Sequence, residues 1–354
     1  MTPLTEIILR RIAKTGPISL ADYMADCLLH PEHGYYATRD PFGAAGDFTT
    51  APEISQMFGE MLGLWLAQVW MDQGRPAPFT LAEIGPGRGT LMADILRVGR
   101  AAPGFLDAAQ VHLVEASATL RQVQRQTLGD HPVTWLDSAG ALPDAPLFLV
   151  ANEFFDALPI RQFQRDAAGW REVQVTQSGG VLAMGLSAPA PIALLDHRLD
   201  DTSPGDLVEI CPAAAPIVDQ IATRIAAHGG AALFIDYGGW HSLGDTLQAL
   251  KAHQMVDPLT HCGEADLTAH VDFEALARAA QGVQVTPMTP QGVFLERLGI
   301  TQRAQALARN LSGPALDSHI AAHRRLIHAD EMGSLFKSLA LVPHDTPMPP
   351  GFAA

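Results

Sequence analysis

Cysteine is scarce, with only Cys27, Cys211 and Cys262 in 354 residues and no paired spacing among them. That argues against both a disulfide framework and a cysteine-rich zinc cluster. Positive charge is also short: 23 Lys and Arg stand against 38 Asp and Glu, for a net charge of −15. Nucleic-acid phosphates require clustered Lys and Arg, so no nucleic-acid partner is expected. Such a surface suits a basic partner better, through long-range attraction. Long apolar runs are missing as well. The stretch MTPLTEIILRRIAKTG, with Arg10, Arg11 and Lys14, reads as an amphipathic first helix rather than a signal peptide, transit peptide or membrane span. The expectation is a cytoplasmic protein without membrane insertion, whose 47% hydrophobic content suffices for a substantial core.

Against these absences stands one dense stretch. In Leu81-Ala82-Glu83-Ile84-Gly85-Pro86-Gly87-Arg88-Gly89-Thr90-Leu91 an acid sits two residues before a glycine-rich turn and ends the apolar strand FTLAEI. Leu91, Ile95 and Val98 then recur at helical spacing, which makes the glycines a strand-to-helix turn. Lacking Cβ atoms, Gly85, Gly87 and Gly89 let a nucleoside approach the peptide units closely. An ordinary βα connection and a dinucleotide site are the competing readings. The dinucleotide fingerprint is G-x-G-x-x-G, with pyrophosphate at the helix N-terminus. Here the spacing is G-x-G-x-G, and Glu83 has no task in a pyrophosphate site. S-adenosylmethionine (SAM) has no phosphate and carries an ammonium, which Glu83 suits.

One βαβ step later, VHLVEAS ends its apolar run at Glu115, where a carboxylate suits a ribose diol. A solvated strand end is the alternative. VTWLDS ends a third segment at Asp137, a candidate for the adenine amino group, although acids are common in turns. Next, LFLVA is a continuous apolar run of the kind a central parallel strand shows, and polar residues begin abruptly at Asn152. Ligands of open α/β sheets bind beyond the carboxyl ends of strands, the edge at which Asn152, Glu153 and Asp156 fall. Two carboxylates there suit a cationic acceptor, holding its charge while one nitrogen keeps a lone pair toward the methyl donor. A plain helix cap by Asn-Glu is the alternative.

Five segments now make the chain recognisable: GDFTTAPEISQMFGEMLGLW at 46–65, LAEIGPGRGTLMADILR at 81–97, VANEFFDALPIRQF at 150–163, LFIDYGG at 233–239 and GEADLTAHVDF at 263–273. Together they resemble the MidA-like family, bacterial relatives of the mitochondrial arginine methyltransferase of complex I assembly. The resemblance implies an α/β fold, a class I SAM-dependent methyltransferase with a Rossmann-like, seven-stranded, mostly parallel sheet. N-terminal helices and inserted β-hairpin and helical segments would elaborate it. The implied activity is protein arginine N-methylation, with SAM as cofactor and a complex I subunit or similar protein as acceptor. The family's SAM motif falls on Glu83, Gly85, Gly87 and Gly89, its ribose acid on Glu115, and its N-E-x-x-D-A-L-P segment on Asn152 to Pro159. A methyltransferase for a small molecule or another protein side chain, and a SAM-binding assembly factor without turnover, are the alternative functions.

The expected division is an N-terminal helical and lid segment over 1–75, a SAM-binding core over 76–288 with an insertion at 159–210, and C-terminal helices with the last strand over 289–354. Pro52 and Glu53 announce one helix, EISQMFGEMLGLWLAQVW, and in the loop before it Asp47, Thr49 and Thr50 join Glu53 as a candidate lid over the SAM pocket. The segment from Arg161 to Leu186 reads as a hairpin or meander with turns at Ala168-Gly169 and Gly179-Gly180, serving either substrate recognition or stiffness. In GEADLTAHVDF, His270 is a candidate for proton removal, or a hydrogen-bonded structural group. His319, His323 and His328 lack a carboxylate motif such as HExxH and read as a solvated helix face, so no metal site is expected.

Overall fold

The computed structural model describes residues 1–38 and 49–352. Asp47, placed in the lid from sequence, lies outside the described residues. The chain divides into two compact units, one made from 49–155, 216–238 and 275–354, the other from 1–48, 156–215 and 239–274.

Apolar runs build the sheet of the first unit. Its main strands are Phe79–Ile84 (β1), Ala109–Val114 (β2), Val133–Leu136 (β3), Leu147–Asn152 (β4), Gly230–Gly239 (β5), Gln284–Val285 (β6) and Phe336–Val342 (β7), and the two-residue strand Thr289–Pro290 also pairs with β7. Every residue of β1 and β4 is buried, as strands covered on both faces require. They run in the order β6-β7-β5-β4-β1-β2-β3. From β3 to β5 the neighbours are parallel, whereas β7 runs antiparallel to both β5 and β6. A dinucleotide fold has the order 3-2-1-4-5-6. Here a reversed seventh strand is inserted between the fifth and sixth. Chain order reverses at β1 and β4, so the crevice beyond their carboxyl ends is the switch point where a ligand binds. Glu83 pairs in register with Val150 there, and Asn152 with Ile235.

The helix expected from Pro52 onward is broken in two. Ala51–Ile54 forms one short turn, Ser55 is extended with φ −161° and ψ 135°, and Gln56–Asp72 restarts with the Ser55 hydroxyl accepting from the Met57 amide. Ser55 breaks the helix because its own side chain caps the next one. The longer helix is apolar on most sides and lies in the core with Phe58, Leu62, Trp65 and Leu66 buried. It packs on Thr90–Gly99 through Gly59 and Gly63. A Cβ on Gly63 would lie 2.5 Å from Val98 Cγ1 and 3.0 Å from Ile95 Cα. Alanine gains about 1 kcal/mol in helix propensity, but overpacking against backbone costs about 1–3 kcal/mol. Gly63→Ala is therefore expected to destabilise by up to about 2 kcal/mol, read as a lowered denaturant midpoint; a raised midpoint would show that the helices separate freely. Nearby, buried Glu60 accepts from Arg97 and Arg303 at 2.7 and 2.6 Å.

The second unit is mainly antiparallel. Arg161–Asp166, Gly169–Ser178 and Val181–Leu186 form a meander, and Leu207–Ile210 joins its first strand. Gly179 and Gly180, both at positive φ, make the expected second turn. The first turn falls at Ala167-Ala168 instead, because Gly169 already pairs with Asp166. Helices Pro3–Thr15 and Leu20–Leu29, capped by Thr2 and Ser19, bury Leu4, Ile8, Tyr23 and Met24 with Val175 and Leu267. No helix among the described residues is long and apolar enough to cross a membrane.

Candidate active site

At the switch point the chain leaves β1 through Gly85, Gly87 and Gly89, all at positive φ. Gly85 has φ +67°, and a Cβ there would sit 2.8 Å from the Phe154 ring, so the turn after β1 packs directly on the turn after β4. Gly89, left-handed with φ 82° and ψ 10°, starts the helix Thr90–Gly99. Only glycine takes these dihedrals without steric cost.

Two buried oxygens beside this turn lack partners among the described residues. Glu83 is 3% exposed, and its Oε2 has no hydrogen-bond partner among them. Burial pushes its carboxyl up to about 8, against the opposing Met92 amide and with a further contribution from Glu115. The amide oxygen of Asn152, at the end of β4, is likewise buried and unpartnered. Buried polar groups are normally satisfied, so an unsatisfied pair at a ligand crevice fits a ligand that brings its own donors. An ammonium is such a donor.

Glu115, one residue past β2, accepts from the Ser117 amide on Oε1 at 2.8 Å and from Gln124 Nε2 on Oε2 at 3.1 Å. Burial raises its pKa, partly offset by those two donors. Arg121 holds the same strand end, with Nε donating to the Glu115 carbonyl at 2.8 Å and Nη2 to the Leu136 carbonyl at 3.1 Å. Arg121 also takes Asp137 at 2.5 Å, and that carboxylate is 92% exposed.

Glu153 follows β4 in a left-handed conformation, φ 51°, which is strained for a residue with a side chain. Its amide donates to the Ile235 carbonyl at 2.9 Å. Asp236, fully buried within the adjacent strand β5, accepts from the amides of Phe154 (3.1 Å), Phe155 (2.8 Å) and Tyr237 (2.9 Å). Asp236 thus fixes the turn that carries Glu153. Oε1 of Glu153 accepts from the Ala51 amide at 2.8 Å and Asn152 Nδ2 at 3.0 Å, whereas Oε2 has no hydrogen-bond partner among the described residues. Burial raises this carboxyl to about 6, with Ala51, Asn152 and the charge of Arg325 pulling it back.

The lid residues within the described chain reach the same region. Thr50 is the N-cap of the short helix without a side-chain capping bond, and its carbonyl accepts from Glu53. Glu53 accepts from the Thr90 hydroxyl at 2.5 Å, at the start of the helix behind the glycine turn. Asp156 and His270 belong to the other unit. There the Ala269 amide donates to the Asp156 carbonyl at 3.0 Å, and the His270 amide to Thr246 Oγ1 at 2.9 Å. In the C-terminal helices His319 and His323 engage the Ala304 carbonyl and the Thr301 hydroxyl, and His328 lies 3.8 Å from Asp330.

Sequence reasoning passed over Gln124 and Asp236. Gln124 sits in a polar helix, TLRQVQRQTL, with nothing to mark it. Asp236 carries a signal, an acid ending the buried apolar run in LFIDYGG.

A sheet of this order, with an acid and a glycine turn at its switch point and a second acid after the neighbouring strand, defines a class I SAM-dependent methyltransferase. A family profile described as "Putative S-adenosyl-L-methionine-dependent methyltransferase" matches residues 61–291. Protein arginine methyltransferase NDUFAF7 of Rattus norvegicus is 38% identical over 374 residues, covering 97% of this chain and 85% of its own. The Danio rerio protein of that name is 40% identical over 360 residues, with 94% and 85% covered. The crystal structure of a Burkholderia thailandensis superfamily member bound to S-adenosylhomocysteine superimposes with a TM-score of 0.83 at 31% identity, over 99% of this chain and 92% of that one. The chain belongs to the MidA-like family of SAM-dependent methyltransferases.

Proposed function

We propose that the chain is a protein arginine N-methyltransferase of the bacterial cytoplasm, acting on a complex I subunit or similar protein. Similarity to proteins named as arginine methyltransferases over nearly the whole chain supports the acceptor class. For the respiratory acceptor the support is the family resemblance alone. Burial of Leu4, Ile8 and Ile12 makes the first helix part of the fold.

In this reading Glu83 and Asn152 meet the amino-acid end of the cofactor, Gly85, Gly87 and Gly89 leave room for the nucleoside, and Glu115 takes the ribose hydroxyls. Thr50 and Glu53 cover the site, and Asp137 borders it at the adenine end. When bound, SAM supplies an electrophilic methyl group on its sulfonium. The chain's own residues supply position and charge. A guanidinium stays protonated at neutral pH, so it needs a carboxylate that binds it while leaving one nitrogen's electron density directed at the methyl. Glu153 is assigned that role. With one oxygen tied to Ala51 and Asn152 and the other lacking a partner among the described residues, its carboxylate is oriented yet able to accept, and this observation carries the proposal. A pKa of about 6 leaves it ionised at neutral pH. Methylation would leave the acceptor nitrogen with one proton to shed, and Glu153 is assigned as its acceptor.

Glu153→Gln keeps the size and the acceptor oxygen but removes the charge. Turnover of an arginine-bearing protein acceptor is expected to fall about 100-fold or more, with S-adenosylhomocysteine affinity by calorimetry unchanged. Full turnover in this variant would overturn the assignment. Labelled SAM incubated with lysate from cells lacking the enzyme, followed by mapping of labelled peptides, tests the acceptor itself; label confined to small molecules or to side chains other than arginine would overturn it.

A further inference from the structure

One fully buried amide joins three parts of the cofactor crevice. Gln124, 0% exposed on the helix Ala118–Leu128, donates from Nε2 to the Gly87 carbonyl at 2.8 Å and to Glu115 Oε2 at 3.1 Å. Its Oε1 accepts from Trp135 Nε1 on β3 at 2.8 Å. An indole N–H only donates, so the oxygen of the amide must face Trp135 and its nitrogen must face Gly87 and Glu115. The orientation is thereby fixed by chemistry.

We infer that Gln124 is a positioning residue for the cofactor's ribose, setting the Glu115 carboxylate and the Gly87 peptide in the geometry that receives the nucleoside. The inference rests on the reading of Glu115 as the ribose acid. Among the described residues each oxygen of Glu115 has one hydrogen-bond donor, the Ser117 amide on Oε1 and Gln124 on Oε2. An ionised carboxylate accepts about four hydrogen bonds, so each oxygen retains a lone pair for a hydroxyl of a vicinal diol. Without Gln124 the carboxylate keeps only the amides of its own turn, Ser117 and more weakly Ala116, and is freer to rotate about its last bond. The glycine turn would be released at the same time, since the amide that orients the acid also holds the central glycine's carbonyl. Gly89 packs against this side chain as well, where a Cβ would lie 3.4 Å from Gln124 Cγ. Gly87 lies 37 residues before Gln124 in the sequence and Glu115 nine, and the amide makes them one unit.

The test is calorimetric and independent of turnover. S-adenosylhomocysteine and its analogue lacking the ribose 2′-hydroxyl are titrated into the wild type, Gln124→Met and Trp135→Phe. Wild type is expected to bind the analogue about tenfold more weakly, as loss of one hydrogen bond to a charged acceptor predicts. In Gln124→Met, affinity for the full ligand falls about tenfold while that for the analogue falls less than threefold, so the two losses are not additive. Equal losses for both ligands would reduce Gln124 to a packing role and overturn the inference. A wild type that does not distinguish the ligands would overturn the Glu115 reading, and the inference with it, a failure visible before any variant is made. If Gln124→Met does not fold, Trp135→Phe frees only the amide oxygen; it is expected to shift the same way by a smaller factor, and equal losses for the two ligands in it would again overturn the inference.

Discussion

Asp236→Ala is expected to lower the unfolding free energy by about 4 kcal/mol and to abolish turnover in whatever fraction remains folded. The estimate comes from three backbone amides left without an acceptor, at roughly 1–3 kcal/mol each, less what local relaxation recovers. Phe154, Phe155 and Tyr237 all donate to this one carboxylate, which is fully buried. The loss is structural at first and functional as a result. Glu153 occupies a left-handed conformation that costs about 1–2 kcal/mol for a residue with a Cβ and persists only where its surroundings over-determine it. With Asp236 gone, the two following amides are free and the turn relaxes toward ordinary dihedrals, moving the Glu153 carboxylate. Asp236→Asn keeps one acceptor oxygen and should fall between. Urea unfolding followed by circular dichroism measures the difference, and a loss below 1 kcal/mol for the alanine variant would show that Asp236 does not hold the turn.

The second large effect is a pH dependence of cofactor binding. Glu83 is held near 8 by burial, so the ligand-free protein carries it largely protonated at neutral pH. A ligand ammonium pairs with the carboxylate form. Affinity for S-adenosylhomocysteine is therefore expected to rise about tenfold per pH unit from 6 toward 8 and then level off, with release of one proton on binding. Stability of the ligand-free protein should move in the opposite sense. The folded-state pKa lies above the unfolded value of 4.5, so the native state binds the extra proton between 4.5 and 8. This contribution is fully present below 4.5 and is lost as the pH rises through 8. Saturating ligand removes that decline, because the ammonium then stabilises the charged form. Calorimetry in buffers of different ionisation enthalpy counts the proton, and Glu83→Gln should flatten both profiles. A wild-type affinity that is level from pH 6 to 8 would refute the argument.

The parts of this site legible in the sequence were those written in short, contiguous patterns. FTLAEIGPG declares a buried strand, an acid and a glycine turn within a few residues, and all three stand where the pattern put them. The run LFLVAN likewise gave a central strand and its polar end. What escaped depended on distant partners. The role of Gln124 exists only because Gly87, Glu115 and Trp135 converge on it. Asp236 matters because β5 lies beside β4, and a pairing between strands so far apart in the chain has no local signal. The break at Ser55 was missed for a different reason. Apolar spacing runs on across it, and a serine inside an amphipathic pattern looks like a surface position until its hydroxyl is seen to cap the following turn. The alternation of Arg161 to Leu186 predicted strands correctly, but Gly169 was assigned to the turn because glycine favours turns, whereas it pairs across to Asp166.

The reversed strand β7 also bears on how the chain is made. It pairs with β5 along Ala232–Tyr237 and with β6 at Gln284–Val285, so the sheet has an open edge at β5 until Phe336–Val342 leaves the ribosome. A strand edge with unpaired amides and apolar side chains is a template for pairing with other chains. Nascent chains of this protein therefore carry an adhesive edge in the interval between the synthesis of Gly239 and that of Phe336, and sheet closure waits on β7.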